Sequence, residues 1–314
     1  MKNYQIAFVG MGSIGKRHLN NVCQLITSQG NTYSIDLYRS SMIRELPEDV
    51  KTLVSNQYLC SQEVQREYDM VFITNPTSLH YDTAIKFRPF TKAFFIEKPV
   101  FSASDVEENV IALLDEIPSY VACPLRYNPV LQYVKQNVEL EKVISVRAMS
   151  SSYLPDWRPG QDYRETYSAH TELGGGVDID LIHEWDYLTW IFGMPTECFG
   201  IADRFSKLEI NSNDTALYVA KNDKLTYELH LDYFGRKTQR TLDIFTQDDT
   251  VQCDIVRGIV TYLKEGKTLD FNSDRNAFQM KEIKHFFDIT EGRVENDSNV
   301  KHGVQVLKLT KSKI

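Results

Sequence analysis

The apolar run Ile6-Ala7-Phe8-Val9 leads without a spacer into Gly10-Met11-Gly12-Ser13-Ile14-Gly15, and residues 14–27 follow with helical patterning. No other feature constrains the fold as strongly. A G-x-G-x-x-G pattern means little alone. Here a strand precedes it, a helix follows, and a second strand-like run at 33–38 comes about twenty residues on, the layout of a dinucleotide-binding βαβ unit. Gly10 permits the tight turn, Gly12 lets the backbone approach a pyrophosphate, and Gly15 allows the helix to pack close to the strand. Met11, Ser13 and Ile14 complete the turn. The phosphates are expected at the helix N-terminus, where unpaired N–H groups and the helix dipole favour negative charge.

The end of the second strand distinguishes the two nicotinamide dinucleotides. An acidic residue there accepts hydrogen bonds from the adenosine ribose, whereas an arginine pairs with a 2′-phosphate. The segment reads Ile35-Asp36-Leu37-Tyr38-Arg39-Ser40. If the strand ends at Tyr38, Arg39 and Ser40 face the ribose and NADP is favoured. If it ends two residues earlier, Asp36 takes that place and favours NAD. The expectation is NADP, with NAD as the alternative.

The chain has 314 residues, about two domains' worth. Further strands are expected at 70–74, 93–96 and 121–124, with a helix at 103–116 capped by Ser102 or Ser104. Alternating strands and helices imply a doubly wound parallel α/β sheet. After that the pattern changes. Helices are expected at 128–138 and 179–192, and strands at 216–221, 225–233 and 239–246, separated by short turns. These imply an α+β domain with a mainly antiparallel sheet. The boundary is placed at 120–126, giving a dinucleotide-binding domain over 1–122 and a second domain over 123–314. A net charge of −8 argues against a nucleic-acid or membrane-surface partner, since both require a basic face. Five scattered cysteines show no metal-ligand spacing, so no metal is expected. With no signal-peptide core and no membrane-length apolar stretch, the chain is expected to be cytoplasmic.

Two more motifs follow the glycine turn in order: Phe95-Ile96-Glu97-Lys98-Pro99, and Gly174-Gly175-Gly176-Val177-Asp178-Ile179-Asp180-Leu181-Ile182-His183-Glu184. Together the three resemble the Gfo/Idh/MocA oxidoreductases, a family that includes glucose–fructose oxidoreductase and inositol dehydrogenase. The resemblance implies a Rossmann domain followed by a substrate-binding α+β domain. The large open sheet of that second domain often mediates oligomerisation, so a homodimer or homotetramer is expected. It implies redox chemistry on a sugar, cyclitol or related carbonyl compound. It places Lys98 against substrate and nicotinamide ribose, Thr74, Asn75, Pro76, His80 and Glu97 along the cofactor, and Arg126 at the domain junction as a substrate contact.

The residues support this chemically. A lysine at the C-terminal end of a parallel strand lies where open α/β sheets bind ligands, and its ammonium can stabilise a developing alkoxide. His183 is the candidate acid/base, because carbonyl–alcohol redox couples hydride transfer with a proton and histidine titrates near neutrality. The family usually spaces its aspartate and histidine four apart, but Asp180 and His183 are three apart and Glu184 holds the fourth place. On one continuous helix Asp180 and His183 share a face. Asp180 is therefore read as orienting His183 or the substrate. Glu184 is a rival acid/base or substrate contact, and Asp186 a packing or capping partner.

The loop at 151–164 supplies Tyr153, Trp157 and Tyr163 as faces for a sugar ring, and Arg158 and Arg164 as forks for a carboxylate or phosphate. It resembles loops of family members associated with bacterial surface-sugar biosynthesis. The expected substrate is thus a sugar derivative, acidic or nucleotide-linked. Two alternatives stay open: a redox-neutral, NAD-dependent glycoside hydrolase working by transient oxidation, and a non-catalytic dinucleotide-binding sensor.

Overall fold

The computed structural model describes residues 1–43, 45–271 and 274–312. Met1–Ala122 with Gln279–Gln305 form one compact unit, and Cys123–Phe278 with Val306–Ile314 a second.

The first unit holds six parallel strands, β1 (Asn3–Val9), β2 (Thr32–Arg39), β3 (Asn56–Leu59), β4 (Met70–Ile73), β5 (Phe94–Ile96) and β6 (Ser119–Val121). Their order is β3-β2-β1-β4-β5-β6, the doubly wound arrangement expected of alternating strands and helices. The connections carry α1 (Ser13–Ser28), α2 (Glu48–Lys51), α3 (His80–Phe87) and α4 (Glu108–Asp115). On α1 the buried positions Gly15, His18, Leu19, Val22 and Ile26 recur every three or four residues, so one stripe faces the sheet. Strand β3 is absent from the expected list because Asn56-Gln57-Tyr58-Leu59 is half polar and sits at the sheet's edge. Helix α4 starts at Glu108 rather than 103, and its N-cap is Glu107, not a serine.

Residues 279–305 were expected in the second domain. The structure returns them to the first because Phe286, fully buried, meets Phe72 and Phe95 edge-on at 5.6 and 5.4 Å. Those rings already stack in a row with Phe8, at 4.6 and 5.0 Å. Burying one such ring stabilises a fold by roughly 1.5–3 kcal/mol. A C-terminal segment that supplies it therefore belongs to that core.

The second unit is built on eight strands: β7 (Val143–Tyr153), β8 (Glu197–Asp203), β9 (Thr215–Lys221), β10 (Thr226–Asp232), β11 (Phe234–Thr246), β12 (Thr250–Asp254), β13 (Ile259–Tyr262) and β14 (Lys267–Asp270). The order is β14-β13-β12-β11-β7-β10-β9-β8. Every neighbouring pair is antiparallel except β7 and β10. Helices α5 (Pro129–Asn137), α6 (Val177–Asp180) and α7 (His183–Phe192) belong to this unit, and α8 (Arg275–Thr290) and α9 (Val300–Thr310) close the chain. Trp185, Leu188 and Ile191 of α7 pack with Ala148, Leu229, Leu242 and Ile244 in one core. Alternation sends the other set of strand residues outward, so Phe199, Ile201, Leu217 and Val219 stay exposed. Among the described residues, no helix is long and apolar enough to cross a membrane.

Candidate functional site

The glycine turn is shaped from both sides. Gly10 has φ +92°, and a Cβ there would stand 2.6 Å from the backbone N and Cα of Asn75. Thr74, the residue after β4, holds the turn through its Oγ1, which donates to the Gly10 carbonyl at 3.0 Å. Gly12, by contrast, faces open space, with nothing within 4 Å of a Cβ. It is the N-cap of α1, which has no capping side chain and no acidic residue in its first turn. Bare N–H groups beside an open glycine form an anion site, so the residues present fit a dinucleotide pyrophosphate. Asn75 adds a buried Oδ1 without a hydrogen-bond partner, while its Nδ2 donates to Thr83. Met11, Ile14 and Pro76 are at least partly exposed around this turn, as is Ser13.

Asp36 lies inside β2, opposite Ala7 and Asn56, and is buried. Its carboxylate accepts from Asn56 at 2.8 Å and Tyr68 at 2.9 Å and pairs with Arg66 at 3.0 Å. It is therefore a core residue of the strand. Arg39 ends β2, with Gln57 accepting from its guanidinium at 2.9 Å, and exposed Ser40 follows.

At the end of β5, Glu97 and Lys98 are half-buried. Glu97 Oε1 lies 2.5 Å from Nε2 of His18, a fully buried residue of α1, and Oε2 accepts the Lys98 backbone N–H at 3.1 Å. Burial works against the Glu97 charge. The hydrogen bond and charge of His18, with Lys98 and His80, outweigh it and hold the carboxyl below the ordinary Glu range. His18 was not anticipated, although a histidine on an otherwise apolar helical stripe was the available signal. His80, expected along the cofactor, is wholly buried instead. Its Nε2 lies 2.9 Å from the Asn75 carbonyl and its Nδ1 3.1 Å from that of Pro99. It clamps the two strand-end segments from behind, and burial pushes its pKa down.

In the second unit the expected helix at 179–192 is two helices. It breaks at Leu181–Ile182, so Asp180 ends α6 and half-buried His183 opens α7. The two residues therefore do not lie on one continuous helix. Asp180 accepts from Tyr167 at 2.6 Å and Tyr233 at 2.5 Å. Burial and the adjacent Asp180 charge push both phenols well above their ordinary pKa. The triple glycine has a matching role. A Cβ on Gly175 would lie 2.2 Å from the Tyr167 carbonyl, so only glycine lets the strand of backbone leading into α6 approach Tyr167 this closely.

Three arginines expected at the substrate differ sharply. Arg126 is 1% exposed, and its guanidinium donates to both oxygens of Asp186 at 3.0 and 2.7 Å. It anchors α7 from within the unit, with Asp186 as its packing partner. Arg164 is exposed but donates to Asp162 and Glu209, so its fork is already occupied by carboxylates. Arg158 has no carboxylate partner among the described residues and lies 5.3 Å over the Tyr167 ring. Glu184, the expected substrate contact or rival acid/base, is fully buried and accepts from Arg240 at 2.6 Å. Trp157 donates to Ser152 Oγ at 2.9 Å and meets Tyr233 edge-on, and the Tyr163 hydroxyl accepts the Glu209 N–H.

Residues 4–117 match the sequence profile of the Gfo/Idh/MocA oxidoreductases, described as an NAD-binding Rossmann fold. This part of the chain is similar to the NAD-binding domain of that family. An uncharacterised oxidoreductase of Bacillus subtilis (strain 168), YrbE, is 24% identical over 202 residues, which cover 61% of this chain. The match spans about half of that relative's own length, 54%. Among solved structures, the WlbA dehydrogenase of Bordetella pertussis, in complex with NADH and UDP-GlcNAcA, superposes with a TM-score of 0.79 at 17% identity, covering 99% of this chain and 95% of its own. The myo-inositol 2-dehydrogenase of Lactobacillus plantarum gives 0.76 at 18%, covering 98% and 95%. At these identities the family resemblance over the second unit is one of fold.

Proposed function

We propose that the chain is an NAD(P)-dependent dehydrogenase acting on a CH–OH group of a sugar derivative, acidic or nucleotide-linked. The observation that carries this reading is the open, uncapped N-terminus of α1 at Gly12, in the same unit as a lysine at a parallel strand's C-terminal end. The nicotinamide, when bound, supplies the hydride acceptor or donor. Lys98, its backbone fixed by Glu97, stabilises charge on the reacting oxygen, and His183 takes or returns that oxygen's proton. Asp180 orients the substrate side of α6. NADP is the proposed cofactor, because Asp36 is enclosed in the core and Arg39 is the residue that ends β2. The exposed pairs Phe199 with Val219 and Ile201 with Leu217, adjacent in register, suit burial against a second copy in a homo-oligomer.

The test is a screen of acidic, nucleotide-linked and neutral sugars with NAD and NADP, followed by nicotinamide absorbance. Lys98→Ala and His183→Ala should each lose about 10²-fold or more in turnover, the usual scale of acid–base catalysis, while NADPH still binds. Full activity in either variant would remove its assigned role. Turnover of none of the sugars would remove the substrate reading.

A further inference from the structure

Lys98 carries its ammonium on a flexible four-carbon stem, so the point that it can serve depends on how its backbone is held. Two buried histidines from other elements hold the segment around it. His80 of α3 grips the C-terminal side, its Nδ1 3.1 Å from the Pro99 carbonyl. The N-terminal side is held through a carboxylate. Glu97 Oε2 accepts the Lys98 backbone N–H at 3.1 Å, while Oε1 lies 2.5 Å from Nε2 of His18. A glutamate side chain has several staggered rotamers, and only one that turns back along the chain reaches the next residue's N–H. His18 selects it. Its imidazole is fully buried, edge-on to Phe95 at 4.8 Å, and its Nδ1 has no hydrogen-bond partner. A neutral ring therefore carries its proton on Nε2, where Glu97 accepts it.

We propose that His18 is a positioning residue for Lys98, acting through the Glu97 carboxylate and fixing the lysine backbone relative to α1. This rests on the reading of Lys98 as the group that stabilises charge on the reacting oxygen. His18 lies in the second turn of α1, the helix whose N-terminus fits the dinucleotide pyrophosphate. Lysine and cofactor are thereby referred to one rigid element of the first unit. A small misplacement of a reacting group is costly in rate, whereas a pyrophosphate bound by backbone N–H groups at Gly12 does not need the relay. His18 therefore acts on turnover and leaves cofactor affinity alone.

The test compares the full-length wild type with His18→Leu and His18→Gln. At neutral pH, hydrogen exchange of the Lys98 amide should be about tenfold faster in His18→Leu, while the amides of α1, β4 and β5 exchange as slowly as in the wild type. His18→Gln, which still donates to Glu97, should recover most of the protection. Calorimetric titration with NADP⁺ and with NAD⁺ should give affinities within about twofold of the wild type in both variants, the size of effect expected where no contact is lost. On a sugar that the wild type turns over, His18→Leu should lose about tenfold or more in kcat, with KM for the sugar held and part of the kcat restored in His18→Gln. Unchanged exchange at Lys98 overturns the proposal, as does exchange that quickens evenly across the first unit, which is the mark of lost stability alone. Full kcat in His18→Leu overturns it too. Full turnover in Lys98→Ala would instead remove the catalytic reading of Lys98, and the exchange and its rescue by glutamine would still decide whether His18 holds the segment.

Discussion

The candidate cofactor surface of the first unit is made largely of backbone, whereas the candidate catalytic surface of the second is made of side chains held by distant partners. At Gly10, Gly12 and the α1 N-terminus, the geometry follows from local sequence plus the next strand. At Asp180 and His183, it depends on Tyr167, 13 residues from Asp180, and on the more distant Tyr233, Arg126 and Arg240. Backbone sites tolerate little change at the residues that form them. Side-chain sites fail instead through their supports.

The sharpest way to break this contrast is to add one methyl group at two glycines. Gly10→Ala places a Cβ 2.6 Å from Asn75 backbone at a positive φ, and neither the backbone nor a left-handed alanine can relax cheaply. NADPH affinity should fall by about 10²-fold or more, with a lower Tm. Gly12→Ala meets only open space, so Tm should hold while affinity falls about tenfold, because the methyl lies on the ligand's side of the turn. Fluorescence titration and thermal melts of both variants decide it. Equal behaviour of the two would show that the turn is not the ligand surface.

Next in size is the support of α7. Arg126→Met removes the bidentate partner of Asp186 from a buried site, which typically costs about 3–5 kcal/mol. Replacing both members, Arg126→Met with Asp186→Leu, should recover much of that stability, since an apolar pair carries no charge to desolvate. Denaturant unfolding measures both. If Arg126→Met leaves stability intact and only raises KM, then Arg126 is the substrate contact first expected from its motif position.

The same contrast explains what was legible in the sequence. The parallel sheet and glycine turn were readable because strand, turn and helix are neighbours in the chain. The break at Leu181–Ile182 was not, because residues 179–192 hold no Gly or Pro and nothing local opposes a continuous helix. Arg126, Arg164 and Glu184 were read as available groups because their type and motif position suggested ligands. Which carboxylate or guanidinium already holds them is a tertiary fact. His18 escaped for the same reason: Glu97 lies 79 residues further on.

The smallest effect tests that last pair and asks whether the backbone-built site also needs a side-chain support. Glu97 is held below the ordinary Glu range in the folded protein, so the unfolded chain binds its proton more readily. The resulting stabilisation is fully present above the ordinary Glu pKa, about 4.3, and is lost as pH falls through the depressed folded value. His18→Leu keeps the packing against Phe95 but removes the partner that contributes most to that depression. Its melting temperature should therefore lie below that of the wild type above the ordinary Glu pKa, by less than the losses above, and the two curves should converge as pH falls through the folded Glu97 value. His18→Gln, which can still donate to Glu97, should restore part of the melting temperature lost above that pKa. Superimposable curves of Tm against pH for wild type and His18→Leu would show that Lys98 and His80 hold the carboxylate unaided.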